Sequence, residues 1–334
     1  MNVPHLSVVA TSRNDNHGGS LTYRMQHFID GFIKQCGRHS LKAELILVEW
    51  NPPDDTPPLQ EALRFPVESG PCTVRIIRVP KQVHISLKNS EHLPLFQMIG
   101  KNVGIKRALG KFVLATNIDI LFSDAVICWM RDQLEAGKLY RVDRLDVPSQ
   151  LPSTDSIQEI LAFCNDQYFR INGKWGTLSR SFGLDNLRKL KRILKNKMGI
   201  DKTVQLHNNA CGDFTLLSYA DWERLRGYPE WEIFSWHIDS IFLHQAYYHG
   251  IIEVDLPTSI PIYHIEHSPG SGYSPEGQEL LFHRLEQKGI TYLKNHEFFD
   301  RVRQMKDQIG PVIYNQSDWG LSSLSLDEVV IGAS

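Results

Sequence analysis

Residues 112–124 read FVLATNIDILFSD, with two polar side chains standing inside an otherwise apolar run. The apolar residues at both ends of this segment are typical of strands, and Asn117 and Asp119 stand between them. A buried carboxylate without a partner costs several kcal/mol of folding free energy. We therefore expect Asp119 to be compensated by a bound cation or, in the alternative, by capping a turn or pairing with Lys106 or Arg107.

The chain that precedes this segment alternates between strands and helices. The apolar pattern predicts strands at 6–10, 45–50, 73–79 and 112–116, and helices at 21–33 and 95–109. Strands separated by helices indicate an α/β fold with a mostly parallel sheet and right-handed crossovers. Ligands bind beyond the carboxyl ends of such strands. This order brings the segments 11–15 (TSRND), 49–53 (EWNPP) and 116–119 (TNID) to one edge of the sheet, where they predict a binding site.

The composition is that of an ordinary globular protein. The chain has 334 residues, 42% of them hydrophobic, and a net charge of -2, which gives no overall attraction to nucleic acid. Its five cysteines are scattered without a CxxC pair, which argues against a cysteine metal site and favours a reducing compartment. We expect a cytoplasmic protein, since no signal peptide or membrane-spanning run is evident. Neither a GxGxxG after the first strand nor a GxxxxGK[ST] is present, against a dinucleotide or P-loop site.

The second half predicts a less regular architecture. A polar stretch at 145–183 is predicted to be an insertion or lid. The segment 184–198 predicts a basic amphipathic helix, either with a solvated basic face or in peripheral contact with anionic lipid headgroups. We divide the chain into 1–144, 145–208 (helical insertion or lid), 209–275 and 276–334 (helical extension and tail).

Further candidates for chemistry lie late in the chain. His237 and Asp239 fall at the predicted start of a helix, where an Asp is a cap or, over a cleft, a general base. His264 and His267 follow an apolar strand and precede a loop rich in Gly, Ser and Pro. Mg²⁺ and Mn²⁺ accept carboxylate oxygens, and an imidazole completes such a shell with Asp119.

Five segments taken together resemble a known family: SVVATSRND (7–15), NVGIKRALGKFVLATNID (102–119), CGDFTLLSYADWERLRGYPE (211–230), WHID (236–239) and HIEH (264–267). In this order they are similar to the inverting, nucleotide-sugar-dependent glycosyltransferases of the GT-A fold. The resemblance covers roughly residues 5–145 and 205–270. It implies that 1–144 is the nucleotide-sugar-binding half and that 209–275 is the acceptor-binding and catalytic half. It implies a Rossmann-like, mostly parallel sheet flanked by helices, with a helical insertion.

The resemblance also implies a site. A divalent cation, Mn²⁺ or Mg²⁺, would be held by Asp119 with His267 as the first choice and His264 as the second. Asp239 would be the base that activates the acceptor hydroxyl. The nucleotide sugar, a UDP-sugar by resemblance, would be bound by Arg13, Asn14, Asp15, Glu49, Asn102, Lys106 and Asn117, with its base near Trp50. The acceptor, a saccharide or a lipid-linked saccharide, would contact Asp213, Trp222, Tyr228, Glu230, Trp236 and His237, although Trp222 and Tyr228 are as readily core residues.

One position departs from the family pattern. The first residue of its DxD-like motif is Asn117 instead of Asp, which removes a negative charge and weakens the expected hold on the cation. This substitution sustains a second hypothesis, a catalytically inactive relative that binds nucleotide sugar or glycan as a partner module. A nucleotidyltransferase is less favoured, because RNDNHGGSL (13–21) lacks the basic phosphate-binding run of those enzymes. The sequence leaves the oligomeric state open.

Overall fold

A computed structural model describes residues 3–66, 69–180, 204–267, 275–308 and 311–331. The basic helix predicted at 184–198 lies outside these residues. The described strands are β1 Leu6–Ser12, β2 Ala43–Trp50, β3 Cys72–Val79, β4 Phe112–Ala115, β5 Ile120–Phe122, β6 Lys138–Arg141, β7 Arg144–Val147, β8 Arg170–Gly173, β9 Gly176–Ser179, β10 Thr215–Ser218, β11 Ile252–Asp255, β12 Ile262–Ile265 and β13 Asp327–Ile331. The described helices are α1 Leu21–His39, α2 Leu59–Ala62, α3 Lys81–Ile85, α4 Gln97–Lys106, α5 Asp124–Asp132, α6 Ile157–Gln167, α7 Tyr219–Leu225, α8 Ile238–Tyr248, α9 Pro275–Gln287 and α10 Asn295–Asp307.

The larger sheet has eight strands in the order β11-β6-β10-β4-β1-β2-β3-β13. Its centre, β4-β1-β2-β3, is parallel, as the alternation of strands and helices predicted. These strands are apolar on both faces because helices cover both. Val8 packs into the core with α1 and α5, whereas the next residue, Val9, packs into the core with α4 and α8. The predicted mixed α/β fold with a mostly parallel sheet flanked by helices is therefore confirmed.

A second sheet of five strands, β5-β12-β7-β8-β9, adjoins the first. The chain passes from β4 in the large sheet to β5 in the small one through residues 116–119. Strand β12 runs antiparallel to β5 and parallel to β7, with His264 opposite Ile120 on one side and Asp146 on the other. The backbone of Ile265 also donates to the carbonyl of Asp119 at 3.0 Å. The junction of the two sheets thus brings Asp119 beside the late histidines.

Two parts of the chain are more ordered than their sequence suggested. The predicted boundary between 144 and 145 falls inside β7, and 145–180 supplies three strands to the small sheet. After residue 318, where the sequence shows no pattern, β13 adds antiparallel to β3 at the edge of the large sheet. Trp319 is buried against the same core as α4 and α8.

Candidate metal and catalytic site

Asp119 is buried at the junction of the sheets and has three cationic or imidazole neighbours. Its Oδ2 atom lies 3.0 Å from Nη1 of Arg24, 3.2 Å from Nε2 of His267 and 3.8 Å from Nε2 of His264. Burial alone would raise the pKa of Asp119, but the two imidazoles and Arg24 outweigh it and hold the pKa well below its usual range. The expected ion pair of Asp119 with Lys106 or Arg107 is wrong, because its partner is Arg24 on α1.

One ligand atom from each of Asp119, His264 and His267 lies within 4.8 Å of the other two. The Oδ1 atom of Asp119 is buried and has no hydrogen-bond partner among the described residues. Buried polar atoms are nearly always satisfied, so an unpaired carboxylate oxygen next to two imidazoles marks a place for a cation. The residues therefore fit a divalent metal with a shell of mixed nitrogen and oxygen ligands.

Asp146 orients one of these imidazoles. Its Oδ1 atom lies 3.2 Å from Nδ1 of His264, on the ring nitrogen opposite the one that faces Asp119. Histidines that bind metals commonly donate their second ring nitrogen to a carboxylate, which fixes the tautomer. Burial and Arg144 lower the pKa of His264, but the carboxylates of Asp119 and Asp146 outweigh them and raise it. The protein thus holds this ring with Nε2 toward Asp119.

The loop before α1 closes over the other imidazole. Gly18 has a φ of +73°, and a Cβ added there would lie 2.4 Å from Nδ1 of His267. Arg24 fixes this loop by donating to the carbonyls of His17 and Gly19 while it pairs with Asp119. Only glycine allows so close an approach in this backbone conformation.

Asn117 faces away from the metal ligands. Its Oδ1 atom accepts from Lys101 at 2.8 Å and from Gln97 at 2.9 Å, and its Nδ2 donates to Asp213 at 2.5 Å. The expected carbonyl ligand is therefore already bonded to two donors. Asp213 also accepts from Arg144 at 2.6 Å, which places this predicted acceptor residue inside a buried network.

Lys101 is fully buried between Asn117 and the predicted base. Its ammonium donates to Asn117 and, at 2.7 Å, to the carbonyl of Gly212. A Cβ added at Gly212 would lie 3.1 Å from Oδ2 of Asp239, so the carboxylate approaches the same stretch of backbone. Burial lowers the pKa of Lys101 to about 8, against the opposing effect of the carboxylates of Asp213 and Asp239.

Asp239 lies in the first turn of α8, as the sequence predicted. Its Oδ1 atom accepts from the backbone of Ser240 at 2.8 Å, and its side chain is partly exposed. A carboxylate at a helix N-terminus is stabilised by the helix dipole. His237, the residue before α8, has a φ of 65° and contacts Asn295 at 2.7 Å, and Trp236 packs edge-on against Phe282.

The residues expected to bind the nucleotide sugar divide into two groups. After β1, the side chains of Arg13 and Asn14 donate to loop carbonyls, and Asp15 is exposed. Glu49 has no exposed surface. It accepts a hydrogen bond from the backbone of Leu59 and pairs with an arginine of β3.

Three other predicted residues hold the core together. Asn102 donates to the carbonyl of Tyr228 and to Glu230, and the pKa of Glu230 is raised by burial. Lys106 pairs with Glu223 at 2.8 Å instead of pointing to the sheet edge. These contacts tie α4 to α7 and to the segment that follows it.

The predicted aromatic platforms are core residues. Trp222 and Tyr228 have no exposed surface, and Trp222 stacks on Phe242 with ring centroids 4.4 Å apart. Trp50 is equally buried, and its indole donates to His84. A ring with both faces covered offers no surface to a sugar or a base. Trp222 and Tyr228 are therefore core residues, which was the alternative to acceptor binding. The expected contact of the nucleobase with Trp50 is wrong.

Comparison with known proteins gives similarity in structure only. No protein-family model matches the sequence, and no curated protein matches it. Among solved structures, the mannosyltransferase PcManGT from Pyrobaculum calidifontis, in complex with GDP-Man and Mn²⁺, aligns over 91% of this chain and 74% of its own, at 11% identity and a TM-score of 0.44. GalNAc-T7 with UDP, GalNAc and Mn²⁺ aligns over 89% of this chain and 50% of its own, at 12% identity and a TM-score of 0.42. The catalytic domain of Drosophila beta1,4galactosyltransferase 7 aligns over 82% and 78%, at 9% identity and a TM-score of 0.36.

These proteins are glycosyltransferases, the class that the sequence motifs resemble. Similarity at these identities and TM-scores does not transfer a function to this chain. No helix among the described residues is long and apolar enough to cross a bilayer.

Proposed function

We propose that this protein is a metal-assisted, inverting glycosyltransferase that moves a hexosyl group from a nucleoside-diphosphate sugar, a UDP-sugar by resemblance, to an acceptor hydroxyl. The observation that carries the proposal is the cluster of Asp119, His264 and His267 at the junction of the sheets. The unpaired Oδ1 of Asp119 and the carboxylate that orients His264 support a cation there.

When bound, Mn²⁺ or Mg²⁺ would neutralise charge that develops on the diphosphate leaving group. This chain would supply the remaining functions. Asp239 would accept the proton of the attacking hydroxyl, and the electron pair of that oxygen would form the new bond to the anomeric carbon. The bond from that carbon to the diphosphate oxygen breaks on the opposite face, which inverts the configuration.

The contacts of Asp239 support its role as base. Its Oδ2 atom lies beside Gly212, and its Oδ1 atom accepts one hydrogen bond from the backbone of Ser240. Among the described residues, no ion pair holds this carboxylate. Lys101 lies behind Gly212 and provides positive charge to both this carboxylate and Asp213.

The acceptor is proposed to be a saccharide, free or lipid-linked, and to enter near Glu230, Trp236 and His237, whose side chains are partly exposed. The indole of Trp236 has accessible surface, and aromatic faces of this kind suit sugar rings. A peripheral contact of 184–198 with membranes would suit a lipid-linked acceptor and remains a proposal from the sequence.

A second function is favoured by two features of the site. Arg24 already pairs with Asp119, and Asn117 directs its oxygen to Lys101 instead of to the cluster. Both reduce the negative charge available to a cation. A nucleotide-sugar-binding module without catalysis is therefore the alternative.

The two are separated by incubating the full chain with UDP- and GDP-sugars and a mixture of saccharide acceptors, in Mn²⁺ or in EDTA. We expect release of one nucleoside diphosphate and a product of inverted anomeric configuration, measured by chromatography and NMR. Both should disappear in EDTA. Asp239→Asn should bind the donor with unchanged affinity and lose transfer by about 100-fold or more.

The matched control is Asp307→Asn, the same chemical change at an exposed position of α10, which should retain full transfer. Donor binding without release under any acceptor would establish the binding module instead. Release that persists in EDTA would refute the metal-assisted mechanism, and full transfer by Asp239→Asn would remove it as the base.

A further inference from the structure

A second group of metal-binding side chains lies away from Asp119. It consists of Asp143, His207 and Asp255, which we call the Asp143 cluster. One ligand atom from each lies within 4.8 Å of the other two. The three come from distant parts of the sequence: the link from β6 to β7, the segment before β10, and the end of β11.

The fold forces two carboxylates together at this place. Asp255 pairs across the sheet with Arg141, two residues before Asp143. Gly173 in the β8–β9 hairpin lies against the same carboxylate, since a Cβ added there would be 2.8 Å from Oδ1 of Asp143. Burial and the charge of Asp255 raise the pKa of Asp143 to about 6, although Arg141 opposes them.

The imidazole in the cluster has no exposed surface and an unused nitrogen. Nδ1 of His207 lies 2.7 Å from Oδ1 of Asp255, whereas Nε2 is buried and has no hydrogen-bond partner among the described residues. Burying an unsatisfied ring nitrogen costs about 1–3 kcal/mol. A cation held by one ring nitrogen and the two carboxylates would relieve the charge repulsion within the carboxylate pair.

We propose that Asp143, His207 and Asp255 form a second, structural site for a divalent transition-metal cation of the Zn²⁺ class. One imidazole with two carboxylates is a donor set that Zn²⁺ accepts, and the partly exposed Asp255 leaves room for water in the shell. The site would join three segments, including the one that leads from His207 to Gly212 and Asp213.

The arrangement of neighbouring groups fits a structural role. Arg141 donates to the carbonyls of His207 and Asn209, and the backbone of His207 donates to Glu253. The segment around His207 is therefore held on both sides already, so the ligand atoms are pre-organised. This inference does not depend on the proposed transferase activity.

The test is a titration of the chelator-treated full chain with Co²⁺ and Zn²⁺, followed by Co²⁺ absorption and by bound metal after dialysis. We expect two ions bound by the natural chain, one at each cluster. Asp255→Asn and His207→Gln should each lose one ion. Asp119→Asn should retain the ion at the Asp143 cluster, and Zn²⁺ should raise the Tm of this variant. Zn²⁺ should not raise the Tm of a chain that carries both Asp119→Asn and Asp255→Asn.

His92→Gln, at an exposed position, is the control for loss of an imidazole and should bind two ions. If His207→Gln does not fold, Asp255→Asn decides, because its side chain is 30% exposed and the change is isosteric. Two ions bound by Asp255→Asn would overturn the proposal. The proposal would also be overturned if the natural chain bound one ion and Asp119→Asn bound none. In that case a proton on Asp143, and not a cation, would relieve the carboxylate pair.

Discussion

Gly18→Ala and Gly19→Ala form a matched pair that tests His267 as a metal ligand without altering any ligand. The two glycines have φ values of +73° and +74°. An alanine in this conformation costs about 1–2 kcal/mol of folding free energy, so both variants should lose similar stability. Their surroundings differ, because nothing lies within 4 Å of a Cβ at Gly19, whereas one at Gly18 meets Nδ1 of His267 at 2.4 Å and Nη2 of Arg24 at 3.1 Å.

The displacement at Gly18 can be worked from the structure. Its Cβ would lie 2.4 Å from Nδ1 of His267, and ordinary contact begins at 3.4 Å, so the imidazole must move by about 1 Å. A side chain can make this movement at little cost in stability. A metal–nitrogen bond of about 2.0–2.1 Å cannot survive it. We expect Gly18→Ala to weaken Mn²⁺ binding about 10- to 100-fold, or about 1.4–2.8 kcal/mol, with Gly19→Ala unchanged.

The measurements are urea denaturation of both variants and calorimetric titration with Mn²⁺ in the presence of a nucleoside diphosphate. Equal stability and unequal Mn²⁺ affinity would support His267 as a ligand. Mn²⁺ affinity that is unchanged in both variants would refute the reasoning. Equal weakening in both would show that strain in the loop, and not the imidazole, controls the site.

Three further predictions concern the groups around the site. Asp146→Asn should weaken Mn²⁺ binding about 10- to 100-fold in the same titration, because His264 loses the carboxylate that orients it; unchanged affinity would exclude this role. Lys101→Met should lower stability in urea by about 1–3 kcal/mol for each oxygen left without a donor. The pKa of Lys101 falls from 10.5 to about 8 on folding, so the unfolded chain binds more protons between these pH values. The natural chain should therefore gain stability relative to Lys101→Met as pH rises through that window. A stability difference between the two chains that does not change with pH would contradict the shift. Trp319→Ala should cost about 3–5 kcal/mol in urea denaturation, and a loss under 1 kcal/mol would show that the tail is not part of the core.

The parallel half of the fold could be predicted because its signals are local. Strands apolar on both faces alternate with helices, so β1, β2, β3 and β4 were found within a few residues of their observed bounds. The small sheet could not be predicted, because β7 and β8 are four residues long and carry buried polar side chains such as Asp146 and Asn172. Such residues are tolerated only through partners that periodicity does not reveal.

The site shows the same division between ligands and the groups that support them. Asp119, His264 and His267 are chemically recognisable in sequence and were predicted together. Arg24 and Asp146 were missed, since they lie 95 and 118 positions from the residues they contact. A polar residue in an apolar run indicates that it has a partner, but not which one. The sequence signal for Asp146 is a carboxylate between the apolar residues 145 and 147, a weaker counterpart of the signal at Asp119.

Arg24 changes what the cation needs in order to bind. Its ion pair uses Oδ2 of Asp119 and leaves Oδ1 unpaired, so the guanidinium and a cation can both be present. It also cancels the one negative charge that Asp119 supplies, and Asn117 adds none. A divalent cation would then enter a nearly neutral site, and the diphosphate of the donor becomes its main counter-charge.

We therefore expect Mn²⁺ and the nucleoside diphosphate to bind cooperatively, each raising the affinity of the other by the same factor, of about 5- to 150-fold. Arg24→Gln, which keeps a hydrogen-bond donor but removes the charge, should strengthen Mn²⁺ binding to the free chain and reduce this coupling. Calorimetric titration of Mn²⁺ with and without the diphosphate, in both chains, measures the two effects. Tight Mn²⁺ binding to the natural chain without nucleotide would show that Arg24 does not neutralise Asp119, since a neutral site offers a bare cation too little charge to replace its lost water.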